Sequence, residues 1–193
     1  RKYYNRGILQ LYNQIQFTLK LCTNFHKLGL KDSTIFIVSS PVPFSIFPVI
    51  FYAKIWNKKV IFEIRDLWPL VLQQVFKLSK WHPYIFILQK TERFGYRNSD
   101  HIVSVKPGDF EYILDRYNIT KDKFTYIPNG IDFSIKPIKV LPLEIRKKIP
   151  ENKFIVGYTG SLSRVYGIIY LLKAAKKLMS KEIHFFIIGS GPE

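Results

Sequence analysis

The sequence predicts an α/β fold in which parallel strands are covered by helices on both faces. Short, continuously apolar segments recur along the chain, as in 59–64 (KVIFEI) and 183–189 (IHFFIIG). The longer segments between them repeat apolar residues at the spacing of one helical face. Strands that are apolar at every position are typical of parallel sheets buried on both sides, in a doubly wound layout.

Helix and strand alternate in the first half of the chain. Residues 3–27 are predicted to be helical because apolar side chains recur at three- and four-residue intervals: Ile8, Leu11, Tyr12, Ile15, Leu19, Cys22 and Phe25. The β-branched run 34–40 (TIFIVSS) predicts a buried strand. Next, the pattern predicts a helix at 44–57, a strand at 59–64, a helix at 82–97, a strand at 101–105 and a helix from Pro107 to about Tyr117.

A change of composition divides the second half. The strand predicted at 123–128 is closed by a turn at Asn129-Gly130. Residues 135–153 contain three prolines and no steady apolar period, which indicates a linker. A strand at 154–160, a helix at 164–180 and a strand at 183–189 follow, the helix with Ile168, Leu171, Leu172, Ala175 and Leu178 inward. We therefore predict a first domain at 1–134, the linker at 135–153 and the beginning of a second domain at 154–193.

Composition excludes some classes of protein and leaves others open. The 193 residues are 16% aromatic, which is unlike a disordered chain. The single cysteine, Cys22, cannot form an internal disulfide, and no run of about 18 apolar residues is present. A net charge of +16 suits nucleic acid, an anionic membrane surface or a phosphate-bearing substrate. Surplus lysines can equally be a solubilising surface, so charge does not decide between these partners.

The segment 80–97 combines aromatic and basic residues. The aromatic residues are Trp81, Tyr84, Phe86, Phe94 and Tyr96, and the basic ones are Lys80, Lys90, Arg93 and Arg97. This combination is typical of a membrane interface. Core packing on one face and a solvated surface on the other would explain the same letters.

Ligands of doubly wound sheets bind at the carboxyl ends of the strands. The residues at these strand exits are 39–41, Arg65-Asp66, 104–107, Asn129-Gly130, 157–161 and 189–193. In FEIRDLWP (62–69), Asp66 is a carboxylate at a strand tip with Arg65 beside it. It could contact a substrate hydroxyl or accept a proton, or it could be a structural ion pair or cap.

Two glycine-containing exits follow in the second half. In GYTGSLSRVYG (157–167), Gly160 permits a tight turn, Ser161 or Ser163 could cap the next helix, and Arg164 adds a positive charge at a potential anion site. In GSGPE (189–193), the backbone could approach a nucleotide closely. Both stretches could also be ordinary turns between a strand and the next element.

Several metal and phosphate motifs are missing from the sequence. The four histidines have no HxxxH or HxH spacing, and the seven aspartates never form Asp-x-Asp. There is also no GxSxG, GxxxxGK[ST] or GxGxxG stretch. Any phosphate chemistry is therefore expected to use backbone N–H groups and cationic side chains, with no metal and no other cofactor.

In their order along the chain, the strand exits resemble the family 4 glycosyltransferases of the GT-B fold, in particular the branch that builds bacterial surface polysaccharides such as colanic acid. The matching stretches are SSPVPF, FEIRDLWP, YRNSDHIVSVKPG, YIPNGIDF, GYTGSLSRVYGIIYLLKAAKKL and FFIIGSGPE. The resemblance covers nearly the whole chain. The ordered series is far more specific than any one of its members.

The resemblance implies a two-domain enzyme of Rossmann-like parallel sheets, with an acceptor sugar on the first domain and a nucleotide-sugar donor mainly on the second. The active site would be the cleft between them, and transfer would retain the anomeric configuration without a metal. Asp66 would contact the reacting sugars with Arg65 as its neighbour, and Trp68 and Pro69 would shape the turn that holds them.

The resemblance also implies a set of donor-binding residues. Gly160 and Ser161 match the loop that meets the donor diphosphate, and Gly189 and Gly191 match the segment near base and ribose. Arg164 and Glu193 complete the expected donor site. Many relatives carry a basic residue just before the glycine at position 167, whereas this sequence has Tyr166 there, and Arg164 is its candidate substitute.

The family's first strand and its donor-gripping glutamates and lysine would lie outside residues 1–193. We therefore expect the sequence to be a piece of a longer enzyme, inactive by itself. The expected acceptor is a polysaccharide or a lipid-diphosphate-linked sugar, with the protein in the cytoplasm and peripheral on the inner face of the membrane. The alternatives are a basic nucleic-acid-binding module, which lacks any recognition motif here, and an isomerase of the same architecture.

Overall fold

The structure is a computed structural model that describes residues 6–134, 142–178 and 182–192. The chain forms two compact units, Arg1–Gly130 and Ile131–Glu193, which we call unit 1 and unit 2. Parallel strands alternate with helices in both, so the predicted Rossmann-like α/β fold class is confirmed. The division into 1–134, 135–153 and 154–193 stays a prediction. Residues 135–141 lie outside the described residues.

Unit 1 contains a four-stranded parallel sheet with neighbours in chain order. Its strands are β1 (Ile35–Ser39), β2 (Lys59–Ile64), β3 (His101–Ser104) and β4 (Phe124–Tyr126). Its helices are α1 (Arg6–Asn24), α2 (Ile46–Ile55), α3 (Trp68–Gln74), α4 (Pro83–Asn98) and α5 (Asp109–Tyr117). In the register of the sheet, Ser39 lies opposite Glu63, and Ile64 lies opposite Ser104. The carboxyl ends of β1, β2 and β3 therefore meet at one edge.

The core of unit 1 lies on one face of this sheet. Val60, Phe62 and Ile64 of β2 are buried, whereas Ile37 of β1 is 68% exposed. Burial alternates along β1, β2 and β3, so the prediction of strands buried on both faces is wrong for these three strands. An apolar run in the sequence does not reveal which of its two faces packs, because a strand directs alternate side chains to opposite sides.

Only part of the apolar face predicted for helix α1 and the residues after it is buried. Phe25, just after its end, is buried, and Gln14 is buried as well. Tyr12, Ile15 and Leu19, which belong to the predicted apolar face, are exposed. The helix carries apolar residues around much of its circumference, so their spacing alone does not determine which stripe faces the core.

Helix α3 was not predicted from the sequence. It begins at Trp68, directly after the Asp66 turn, and Pro69 occupies its first turn. Proline favours this position because its missing N–H would have no partner inside the helix. Pro69, followed by apolar residues, is the feature of the sequence that indicates this helix.

Unit 2 is a small βαβ arrangement. It contains α6 (Leu143–Arg146), the parallel pair β5 (Phe154–Thr159) and β6 (Ile183–Ile188), and α7 (Ile168–Lys177) between the two strands. The short helix α6 lies within the segment predicted to be a linker. Of the residues predicted to face inward from α7, Ile168 is buried and Leu172 is exposed.

None of the helices within the described ranges combines the length and apolar character that crossing a lipid bilayer requires.

A substitution at Gly95 tests the packing of α4 on the sheet. A Cβ there would lie 2.6 Å from Cε1 of the buried Phe62 ring and 3.3 Å from Cγ1 of Ile46. We expect Gly95→Val to lower the free energy of unfolding by about 1–3 kcal/mol through overpacking. Urea unfolding followed by tryptophan fluorescence measures this, since Trp56, Trp68 and Trp81 all lie in unit 1.

Gly108→Val is the matched control. A Cβ at Gly108 would have no neighbour within 4 Å, so this variant should retain nearly the wild-type stability. Equal stability of the two variants would contradict the close contact between α4 and β2.

Candidate active site

Ser40 organises the exit of β2 from the side of β1. Its buried hydroxyl accepts hydrogen bonds from the backbone N–H groups of Arg65 (3.0 Å) and Asp66 (3.3 Å). It also lies 3.3 Å from the carbonyl oxygen of Asp66, to which it donates. These contacts satisfy backbone groups where the strand pairing ends and hold the Asp66 turn in one conformation.

Ser104 holds the same exit from the side of β3. Its buried hydroxyl lies 3.4 Å from the carbonyl oxygen of Ile64 and accepts a hydrogen bond from the Lys106 N–H (3.2 Å). It also makes a short hydrogen bond to the Asp109 carboxyl group, at the first residue of α5. Burial raises the pKa of Asp109, an effect that the Ser104 hydrogen bond and the charge of Lys106 oppose and the charge of Asp66 reinforces.

Asp66 forms an ion pair with Lys106. The Lys106 Nζ lies 2.9 Å from Asp66 Oδ1, and both side chains are about half exposed. An ion pair with this exposure contributes at most about 1 kcal/mol to folding. Its value for function is that it presents a carboxylate and an ammonium group to solvent, side by side at the sheet edge.

The Arg65 side chain points into solvent instead of supporting Asp66. It is exposed, and within the described residues no ion pair or hydrogen bond of its guanidinium group is present. Arg65 is therefore the neighbour of Asp66 in the sequence, but the cation that contacts the Asp66 carboxylate is Lys106.

A cavity of about 10 Å³ lies beneath this turn, bordered by Ser40, Asp66, Trp68 and Glu92. This volume is about that of one water molecule, so it cannot admit a sugar. The indole Nε1 of Trp68 is buried without a hydrogen-bond partner among the described residues. Asp66 and Lys106 are accessible from the solvent side, where both are about half exposed.

Glu92 is a buried acid on the inner side of this cavity. It lies on α4 and accepts a hydrogen bond from the Tyr117 hydroxyl at 2.5 Å. Burial raises the pKa of Glu92 to about 7, although hydrogen bonding and the charge of Arg116 oppose the shift.

In unit 2, the exits of β5 and β6 run side by side. The Gly160 N–H donates to Ile188 O and the Leu162 N–H donates to Ser190 O, both at 3.0 Å. A Cβ at Gly189 would overlap the carbonyl oxygen of Gly160, and one at Gly191 would overlap that of Leu162. Close approach of the two backbones therefore requires these glycines, whether or not a donor binds there.

The helix after Gly160 begins later than the sequence predicts. Arg164–Tyr166 form a single 3₁₀ turn, Gly167 adopts a left-handed φ of 67°, and α7 starts at Ile168. Neither Ser161 nor Ser163 caps α7, because Gly167 occupies its N-cap position. Ser161, Arg164 and Tyr166 are exposed, while Glu193 lies outside the described residues.

Comparison with known proteins gives the family. The family model for Glycosyltransferase Family 4 matches residues 8–135, which is about two thirds of the chain. The chain belongs to glycosyltransferase family 4. It is therefore a glycosyltransferase, as the strand exits predicted.

A crystal structure of a glycosyltransferase from Rickettsia africae is similar to this family 4 chain, with 13% sequence identity and a TM-score of 0.33. The similarity covers 80% of this chain and 67% of that chain. No curated protein sequence matches.

Sequence reasoning assigned no role to three residues of this glycosyltransferase's candidate site: Ser40, Ser104 and Lys106. All three lie at strand exits, which was the available signal. Their contacts with 64–66 depend on the register β1–β2–β3, which strand patterns alone do not determine.

No three His, Cys, Asp or Glu side chains come together as potential metal ligands anywhere in the parts of the chain that the structure describes.

The raised pKa of Glu92 predicts a pH-dependent stability. The pKa of Glu92 is about 7 in the folded state and 4.5 in its ordinary state, so binding of its proton stabilises the fold. This contribution is complete only below about pH 4.5. It adds up to about 3 kcal/mol to the free energy of unfolding and is lost as pH rises through 7. Glu92→Gln keeps a neutral side chain of the same shape and should not show this decline.

Urea unfolding at pH 5, 6, 7 and 8, followed by tryptophan fluorescence, measures the difference. Glu111→Gln, which changes an exposed acid on α5, is the control and should follow the wild-type profile. Parallel profiles for wild type and Glu92→Gln would show that Glu92 does not titrate in this range.

Proposed function

We propose that this glycosyltransferase transfers a sugar from a nucleotide-sugar donor to a polysaccharide or lipid-linked acceptor, with retention at the anomeric carbon. The reaction uses neither a metal nor another cofactor. The proposed biological setting is bacterial surface-polysaccharide synthesis, including O-antigen, capsule or colanic-acid-type polymers, in the cytoplasm. The ordered strand-exit motifs support this branch of the family.

The observation that carries the proposal is the fixed position of Asp66. Hydrogen bonds that the N–H groups of Arg65 and Asp66 donate to Ser40 hold the backbone of 65–66, and Lys106 holds the carboxylate. A catalytic side chain must be positioned before the substrate arrives if it is to contribute fully to the rate. The exit of β2 satisfies this condition, and it is also where ligands of parallel sheets bind.

In the proposed reaction, the Asp66 carboxylate accepts a hydrogen bond from an acceptor hydroxyl and orients that oxygen for attack. Lys106 is the positioning residue of this carboxylate. Both groups are half exposed, which leaves them accessible to a bulky sugar.

The donor is proposed to bind unit 2. Its diphosphate would meet the backbone at Gly160 and Ser161, with Arg164 nearby, and its nucleoside would lie along Gly189, Gly191 and Glu193. Preorganised N–H groups and a cation stabilise the negative charge that develops as the nucleoside diphosphate leaves. Tyr166 replaces a basic residue of many relatives, so the cationic role falls to Arg164.

A matched pair of variants tests the role of Asp66. The sheet has a second ion pair, Lys59–Asp100 at 2.7 Å, at the amino ends of β2 and β3. We expect Asp66→Asn, in the natural protein that carries this sequence, to lower transfer by about 100-fold or more. Asp100→Asn should leave transfer unchanged, because it lies at the opposite edge of the sheet. Transfer of radiolabelled sugar is the measurement.

Both variants remove one carboxylate charge from a lysine. Asp100 also accepts a hydrogen bond from the Val60 N–H at 2.9 Å, so Asp100→Asn should lower the stability at least as much as Asp66→Asn. Retained transfer in Asp66→Asn, with the fold intact, would remove Asp66 from the site. Equal loss in both variants would indicate a general effect of ion-pair removal on the sheet.

The product and a chelator test the reaction type. With a nucleotide-sugar donor of known anomeric configuration, proton NMR of the product should show the same configuration as the donor. Incubation with EDTA should leave the rate unchanged. An inverted product would refute retention, and loss of activity that Mg²⁺ or Mn²⁺ restores would refute metal independence.

A further inference from the structure

Helix α4 separates its aromatic residues into two sets. Tyr96 is fully buried, and the Phe94 ring packs 4.9 Å from the Phe47 ring of α2. Trp81, just before the helix, is 82% exposed, and Phe86 is 58% exposed. Core packing therefore explains only part of the aromatic content of this segment.

The exposed rings lie among cations. Phe86, Lys90, Arg93 and Arg97 follow one another at intervals of four, three and four residues, which places them on one face of α4. The Lys90 Nζ lies 5.2 Å from the centre of the Phe86 ring, and the Lys80 Nζ lies 5.3 Å from that of Trp81. We call Lys80, Trp81, Phe86, Lys90, Arg93 and Arg97 the basic–aromatic surface.

Residues 67–99, the stretch of chain that carries this surface, contain no exposed carboxylate. Residues 67–99 contain five lysines and arginines and a single acid, Glu92, which is buried. The cations of this stretch therefore have no exposed acidic residue beside them within 67–99.

The neighbouring helix α2 continues the surface with apolar side chains. Phe51 and Ile55 are exposed one turn apart, and α2 has no acidic residue. The Lys54 Nζ donates to Asn98 Oδ1 of α4 at 3.1 Å, so the two helices lie side by side. The result is exposed aromatic and aliphatic side chains next to a row of cations.

We propose that the basic–aromatic surface docks unit 1 on an anionic lipid bilayer. Trp81 and Phe86 enter the interface between lipid headgroups and acyl chains, where aromatic rings are most favourable. The lysines and arginines pair with lipid phosphates, as in peripheral helices with one basic and one apolar side. This docking does not depend on the proposed sugar-transfer chemistry.

The apolar part of the surface favours lipid over nucleic acid. A duplex would pair with the cations, but it has no counterpart for the exposed aliphatic and aromatic side chains of α2 and α4. A bilayer interface accepts both kinds of group. Nucleic acid is therefore an alternative outcome of the test.

A flotation assay tests the proposal. We expect the protein to bind phosphatidylcholine vesicles that contain about a third phosphatidylglycerol, and to bind pure phosphatidylcholine far less. The triple variant Lys80→Gln, Lys90→Gln, Arg93→Gln should lose about 100-fold in partitioning to the anionic vesicles.

The triple variant Arg146→Gln, Lys147→Gln, Lys148→Gln is the matched control, since it removes three exposed cations from unit 2. Both variants change the net charge equally, from +16 to +13. Equal loss of binding in the two would overturn a specific surface and indicate attraction by net charge alone. Circular dichroism verifies that both variants fold.

Tryptophan fluorescence provides a second readout. Trp81 is exposed, whereas Trp56 and Trp68 are half-buried, so insertion of Trp81 should shift the emission to shorter wavelength. Trp81→Phe should lose this shift while still binding. Absence of vesicle binding would overturn the proposal. It would also be overturned if the protein bound random-sequence DNA more tightly than vesicles and the Lys80→Gln, Lys90→Gln, Arg93→Gln variant lost this DNA binding.

Discussion

The parallel pairing of β2 with both of its neighbours is the constraint from which the candidate site follows. Parallel strands end at a common edge, so Ser40 and Ser104 reach the exit of β2 from opposite sides. Each hydroxyl contacts backbone groups at the point where the ladder of hydrogen bonds stops. Without these contacts, the turn at 65–66 would leave polar groups unpaired next to the core, at a cost of about 1–3 kcal/mol each.

This arrangement allows a charged residue to stand directly above an apolar core. Ile64 is buried, and Asp66, only two residues later, is half exposed and paired with Lys106. The rigid strand therefore positions a carboxylate at the surface without burying its charge, which would be far more costly. Glu92, by contrast, lies inside unit 1, and burial raises its pKa to about 7.

Two glycines in unit 2 are required by the packing of the backbone. Gly189 and Gly191 lie against the backbone of 160–162, where any side chain would collide. The family resemblance associates the same glycines with a nucleotide. A close backbone approach explains their presence structurally, and their proposed donor contact depends on the chemistry of the exposed strand exits.

Local patterns in the sequence determined the fold class, most element positions, the strand exits and the family, because hydrophobic runs, turn residues and short motifs act over a few residues. Tertiary structure decided which face of each element is buried: Ile37 and Leu19 are as apolar as Ile64 but are exposed. It also decided that Lys106, and not the adjacent Arg65, pairs with Asp66, because residues 40 positions apart meet only through strand register. Long-range pairing is a property of the assembled sheet, and the spacing of residues along the sequence does not determine it.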